Sequence, residues 1–232
     1  MNEEITFNAK MVLAYDANTR ISIPTYDFLF TMAQSYFRAQ LGEKAASLLV
    51  IGAGGGNELS AWGPSNPKWT FTGVDPSAEM LAMAKNKTVQ LGMESRVQLI
   101  QGTIDDVPYP DSKYDAASCI LVLHFINDEQ EKLKLLRSIK EHLKPGAPFV
   151  LVSAYGDRHD AELRNRLHIW KSFFLDVGYE SAKVEEMGNT IMTKVSFLSE
   201  PKIEQLLREA GFTHIGRFHS TGLFGGWICH AE

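Results

Sequence analysis

Apolar residues along the chain gather in short runs of strand character, rich in Val, Ile and Phe, at 47–51, 69–74, 97–100, 114–121 and 148–153. Helix-like segments separate most of these runs, which is the sequence form of repeated βαβ units and a mainly parallel sheet. Two further runs, 214–218 and 223–230, stand near the C-terminus with only residues 219–222 between them. A gap that short holds no crossover helix, so these strands must be antiparallel neighbours.

Helix punctuation agrees with the strand pattern. Asn127 with Gln130 resembles a capping box, and Leu136, Ile139 and Leu143 then share one face before Pro145-Gly146. Pro76-Ser77 opens a helix that stops near Gly92, and the segment from Ser199 to Pro201 opens another that stops at Gly211. Two segments lie outside the alternation: an aromatic-rich helical stretch within 1–43 (Tyr26, Phe28, Leu29, Phe30, Met32, Tyr36, Phe37) and an insertion at 155–198 (His159, Leu163, Leu167, Trp170, Phe173, Phe174, Tyr179). Both are candidate lids. The expected organisation is a single domain over 1–232, with an N-terminal helical cap (1–43), a ligand-binding core (44–154), a lid insertion (155–198), and a last helix and strand pair (199–232).

Totals narrow the function classes. A chain of 232 residues with 44% hydrophobic content suits one ordinary globular core. Its formal charge of −5 lacks the basic excess of a protein that holds nucleic acid or anionic membrane. With a polar N-terminus and no apolar run near the ~18 residues that cross a bilayer, the expected location is cytoplasmic. Cys119 and Cys229 sit in apolar surroundings without metal spacing, so buried thiols and no metal centre are expected.

The run from Ser47 to Trp62 reads as a buried strand, a tight turn Gly52-Ala53-Gly54-Gly55-Gly56, and the start of a helix. Glycines let the backbone take positive φ and approach a ligand closely, and the helix start presents free N–H groups. A dinucleotide fingerprint would want Gly or Ala at position 57, where Asn57 stands. Asp75 ends the second run, about 20 residues past the turn, where an acid can accept hydrogen bonds from ribose hydroxyls. The alternative for Asp75 is a cap on the helix that begins at Pro76.

On these residues the chain resembles the class I S-adenosylmethionine-dependent methyltransferases. The resemblance implies an α/β, Rossmann-like class I methyltransferase fold: a mainly parallel seven-stranded sheet with a terminal antiparallel strand pair and helical lid segments. It implies S-adenosyl-L-methionine as cofactor, with Gly52, Ala53, Gly54 and Gly56 around its methionine part and Asp75-Pro76 at the ribose. Thr103 and Ile104 would flank the adenine, Thr103 replacing the usual acid, and Ile120 would pass beneath the methionine. Val50 stands where many relatives carry an acid. Residues 20–26, 167–188 and the ending GLFGGWICHA are similar to the carboxy-S-adenosylmethionine synthase branch, in which a tyrosine matching Tyr26 contacts the cofactor. Val184 falls nearest the position of that branch's lid arginine, which favours an ordinary methyltransferase unless Lys183 or Lys194 supplies the cation instead.

A sulfonium methyl donor is already activated, so the protein mainly aligns an acceptor and excludes water. His124, just past the fourth strand, is the candidate general base, the alternative being an imidazole bonded to backbone. Trp170, Phe173 and Phe174 read as core or as an acceptor wall, and Arg20 as a carboxylate partner or a surface ion pair. The expected partner is a small-molecule acceptor, partly apolar, with a homodimer left open. The rival readings are a carboxy-S-adenosylmethionine synthase, a nicotinamide-dependent oxidoreductase, and a non-catalytic binding protein.

Overall fold

Burial on both faces makes the central strands near-continuous apolar runs, as a covered parallel sheet requires. In a computed structural model, which describes residues 9–109 and 112–232, with side chains from residue 16 in the first helix, they join one sheet. Residues 1–8 of the expected cap lie outside the described residues. The strands are β1 (Ala46–Ile51), β2 (Trp69–Asp75), β3 (Val97–Gln101), β4 (Ala116–Ile120), β5 (Pro148–Ala154), β6 (Phe212–Thr221) and β7 (Phe224–Ala231), in the order β3-β2-β1-β4-β5-β7-β6. The first five pair in parallel, and β7 runs antiparallel between β5 and β6. Strand order reverses between β1 and β4, where a doubly wound sheet opens a crevice for a ligand.

The period-2 alternation along β1 sends Leu48 and Val50 to one face and Leu49 and Ile51 to the other. The second face is closed by α5 (Glu129–His142), through Leu133, Leu136 and Ile139, and by α8 (Glu200–Glu209), through Ile203, Leu206 and Leu207. The first face is covered by α2 (Tyr26–Leu41) and α3 (Asn57–Trp62), where Phe37 meets Trp62 edge-on at 5.4 Å. It is covered further by α4 (Ala78–Gln90), α6 (Ala161–Asp176) and α7 (Ser181–Lys194). Both cysteines are buried free thiols.

Helix caps refine the sequence expectations. Ser77 caps α4, its hydroxyl accepting from Met80 N at 3.2 Å. The cap of α5 is Asp128 rather than Asn127, with Asp128 Oδ1 accepting from Glu131 N at 3.0 Å. An anionic cap also meets the helix dipole favourably, which Asn127 would not.

The two segments outside the alternation form one cover. Trp170 Nε1 donates to Ser22 Oγ of α1 (Ala9–Ser22) at 2.7 Å, and Tyr179 OH donates to Asn18 Oδ1 at 2.8 Å. Trp170 and Phe174 are core residues of the first face, 4.7 Å apart. Arg20 makes an exposed pair with Asp27 at 2.9 Å, of a kind that contributes little.

Candidate functional site

The glycine turn after β1 is the most constrained backbone at the crevice. Gly52, Gly54 and Gly56 take φ of 69°, 48° and 77°. A Cβ on Gly52 would lie 2.1 Å from Val122 Cγ2, so the position excludes any side chain. Gly52 N and Ala53 N both donate to Val74 O, at 2.9 and 3.0 Å, which lashes the turn to the end of β2.

Asp75 completes that lashing. Its Oδ2 accepts from Gly54 N and its Oδ1 from Ser77 N, each at 2.9 Å. Burial raises this carboxyl above its ordinary range, and the two N–H donors offset part of the rise. Ser77, not Asp75, is the helix cap, so the carboxylate stands between the turn and the start of α4 with lone pairs to spare. Exposed Pro76 makes the bend between them.

At the end of β3, Gly102 N donates to Asp75 O at 3.0 Å. Thr103 then begins a short turn in which Asp106 Oδ2 accepts from Thr103 N at 2.8 Å. An acid is thus present three residues after Thr103, bonded back to it. Ile104 is buried beside it.

Tyr26 lies against the far side of the turn. Its hydroxyl accepts from Asn57 Nδ2 at 3.1 Å, and the same amide donates to Asp16 Oδ1 at 2.9 Å. Lys87 Nζ donates to Asn57 Oδ1 at 2.7 Å and to Asp16 Oδ2 at 3.2 Å. Asn57, which sequence reading used only to exclude a dinucleotide fingerprint, thus fastens α1, α2 and α4 to the glycine turn.

The end of β4 is the other wall. Ile120 is buried, and Leu121 takes φ of 61°, a conformation costly for a side-chain-bearing residue and held by its N–H bond to Val152 O at 2.8 Å. Val122 follows and packs over Gly52. His124 is 3% exposed, and its Nδ1 accepts from Ala154 N at 3.1 Å. Burial, reinforced by the Lys132 cation, pushes its pKa down to about 3. The imidazole is therefore neutral at pH 7 with its proton on Nε2. In this state the Nδ1 lone pair is already engaged, which suits a hydrogen-bond donor better than a proton acceptor.

Comparison with known proteins adds an independent finding. Residues 49–149 match a family model described as a methyltransferase domain. A carboxy-S-adenosyl-L-methionine synthase of Trichodesmium erythraeum is 26% identical over 211 residues, which cover 90% of this chain and 81% of that one. An uncharacterised methyltransferase of Bacillus subtilis, YcgJ, is 32% identical over 108 residues, 47% of this chain and 40% of that one. Among solved structures, an O-methyltransferase family protein of Burkholderia thailandensis superposes with a TM-score of 0.61 at 18% identity, covering 97% of this chain and 58% of that one. The methyltransferase-domain match over residues 49–149 and this fold together support a class I S-adenosylmethionine-dependent methyltransferase. The chain spans less than two thirds of the length of that O-methyltransferase.

The residues present fit S-adenosylmethionine, the cofactor of such methyltransferases. Positive-φ glycines at 52 and 54, packed closely by Val122 and Met80, expose a backbone turn with the Asp75 carboxylate beside it, which is what an amino-acid arm and a ribose require. Val184 is buried in the apolar first-face core, 2% exposed. Of the lid arginines, Arg158 donates to Val195 O and Arg166 Nη2 to Tyr155 O, while Arg166 Nε is buried without a hydrogen-bond partner among the described residues. Sequence reasoning missed Glu58, Asp106, Asp16 and Lys87, because the motif pattern names no role for them. No helix among the described residues is long and apolar enough to cross a membrane.

Proposed function

We propose that the chain transfers the methyl group of S-adenosylmethionine to a small, partly apolar acceptor held between the strand ends and the helical cover. The observation that carries this reading is the turn whose Gly52 excludes any Cβ and whose Gly54 N–H is fixed on the Asp75 carboxylate. Gly52, Ala53, Gly54 and Gly56 receive the amino-acid arm, Asp75 and Pro76 border the ribose, Thr103 and Ile104 border the adenine, and Ile120 and Tyr26 close the two sides. The bound cofactor supplies an electrophilic methyl on sulfur. The protein's part is to align the acceptor's lone pair and exclude water.

His124 acts in this reading as a neutral N–H donor that orients the acceptor, since its Nδ1 is taken by Ala154. A separate base is needed only where the acceptor must lose a proton. Carboxylation of the cofactor is the second reading, favoured by the 90% coverage of the carboxy-S-adenosyl-L-methionine synthase match. Buried Val184 weighs against it, because a buried carboxylate without a cation costs several kcal/mol, on the order of the effective desolvation penalty. Mass spectrometry of small molecules retained on purification separates the two. Label transfer from methyl-labelled S-adenosylmethionine into a metabolite extract then tests methylation itself, and silence across extracts of varied origin would oppose it.

A further inference from the structure

Glu58 sits one residue inside α3, directly after Asn57, and is 5% exposed. Among the described residues it takes part in no ion pair. Lys87, the cation whose charge reaches it, already divides its amine between Asn57 and Asp16. A carboxyl so placed is costly to ionise alone. Its desolvation raises its pKa to about 8, helped by the negative charges of Asp75 on β2 and Asp16 on α1 and opposed by a hydrogen bond from its own backbone N–H and by Lys87 on α4. The Cys119 thiol on β4 also feels its charge. Glu58 follows the glycine turn by two residues, Asp75 accepts from Gly54 N and Lys87 Nζ lies beside Gly55, while Val50 on β1 is apolar and buried.

Resting on the cofactor reading above, we infer that Glu58 anchors the α-ammonium of the cofactor's amino-acid arm, the charge partner that this buried carboxyl lacks among the protein's own groups. The cofactor carries two cationic centres, the sulfonium and that ammonium. The ammonium stands at the α-carbon end of the arm that the glycine turn receives, and the sulfonium at its far end, where the adenosyl group joins. Binding then exchanges a proton for a cation: near neutral pH Glu58 holds its proton in the free protein, and ionises to solvent as the ammonium docks.

Calorimetry tests this with two ligands, S-adenosylhomocysteine, which keeps the amino-acid arm, and methylthioadenosine, which lacks it. Glu58→Gln should weaken S-adenosylhomocysteine ~10- to 100-fold and leave methylthioadenosine within about twofold. Titration of the wild type at pH 7, in buffers of different ionisation enthalpy, should show about one proton released with S-adenosylhomocysteine and none with methylthioadenosine. In Glu58→Gln that release should vanish. Equal S-adenosylhomocysteine affinity in both proteins, absence of proton release in the wild type, or equal loss of both ligands in the variant would overturn the assignment. A wild type that binds neither ligand fails at the cofactor reading itself, a result visible before any variant is made.

Discussion

The glycine turn and the helical cover border the same site by different means. The turn is built from backbone: positive φ at three glycines, two N–H groups on Val74 O, and a third on Asp75. The cover is built from side chains meeting across long sequence separations, Trp170 on Ser22, Tyr179 on Asn18, and Asp16 on Asn57. A backbone device tolerates almost no substitution but is compact in sequence. A side-chain device distributes its energy and leaves no local pattern.

That contrast sets the expected size of each perturbation. The largest stability effect belongs to the cover: Trp170→Ala removes a buried ring together with its bond to Ser22, and should cost ~3–5 kcal/mol in denaturant unfolding. Cofactor-site affinity in the folded fraction should change far less, because the ring lies in the cover core rather than in the turn.

At the turn the order reverses. Gly52→Ala places a Cβ against Val122 Cγ2, and should weaken S-adenosylhomocysteine more than ~100-fold while the sheet persists by circular dichroism. Adding Val122→Ala should restore part of that loss, the remainder reflecting the roughly 1–2 kcal/mol cost of positive φ on a residue with a Cβ. Asp75→Ala should have a smaller effect, ~10- to 100-fold on the same ligand. An unchanged affinity would assign Asp75 to holding Gly54 and Ser77 alone.

The smallest expected effect is a flat one. Because burial holds His124 at about 3, turnover between pH 5 and 8 should show no step from this group near its ordinary value of 6.5. The same depression has a stability consequence. The unfolded chain takes up a proton at His124 below about 6.5 while the folded chain does not, so stability is lost as pH falls from there toward about 3. His124→Gln should flatten that part of the acid-unfolding profile, and a rate step near 6.5 that disappears in the variant would return His124 to the role of base.

The same contrast explains what could be read before the structure. The glycine turn, Asp75 and the closing strand pair were legible because backbone geometry demands particular residues at fixed spacing, and β1, β2 and β5 lie within a residue of the apolar runs. Edge strand β6 extends further than its apolar pattern, to Phe212–Thr221, because it is only partly buried and includes irregular register, while β7 (Phe224–Ala231) lies within a residue of it. Glu58 was silent because a single acid in a helix reads as a solvated face, and only packing shows it to be buried. Asp106 was passed over because its bond returns to Thr103, while the family pattern seeks an acid at 103 itself. Asn127 and Asp128 are both cap formers, and local sequence does not tell which one caps; in the structure Asp128 is extended and bonds Glu131 N.

One measurement bears most directly on the glycine turn as a cofactor site: calorimetric titration of the purified wild-type protein with S-adenosylhomocysteine and, separately, with NADH. The expected result is saturable one-to-one binding of S-adenosylhomocysteine, weakened by Gly52→Ala, and no binding of NADH. Saturable NADH binding without S-adenosylhomocysteine binding would contradict the assignment of this turn.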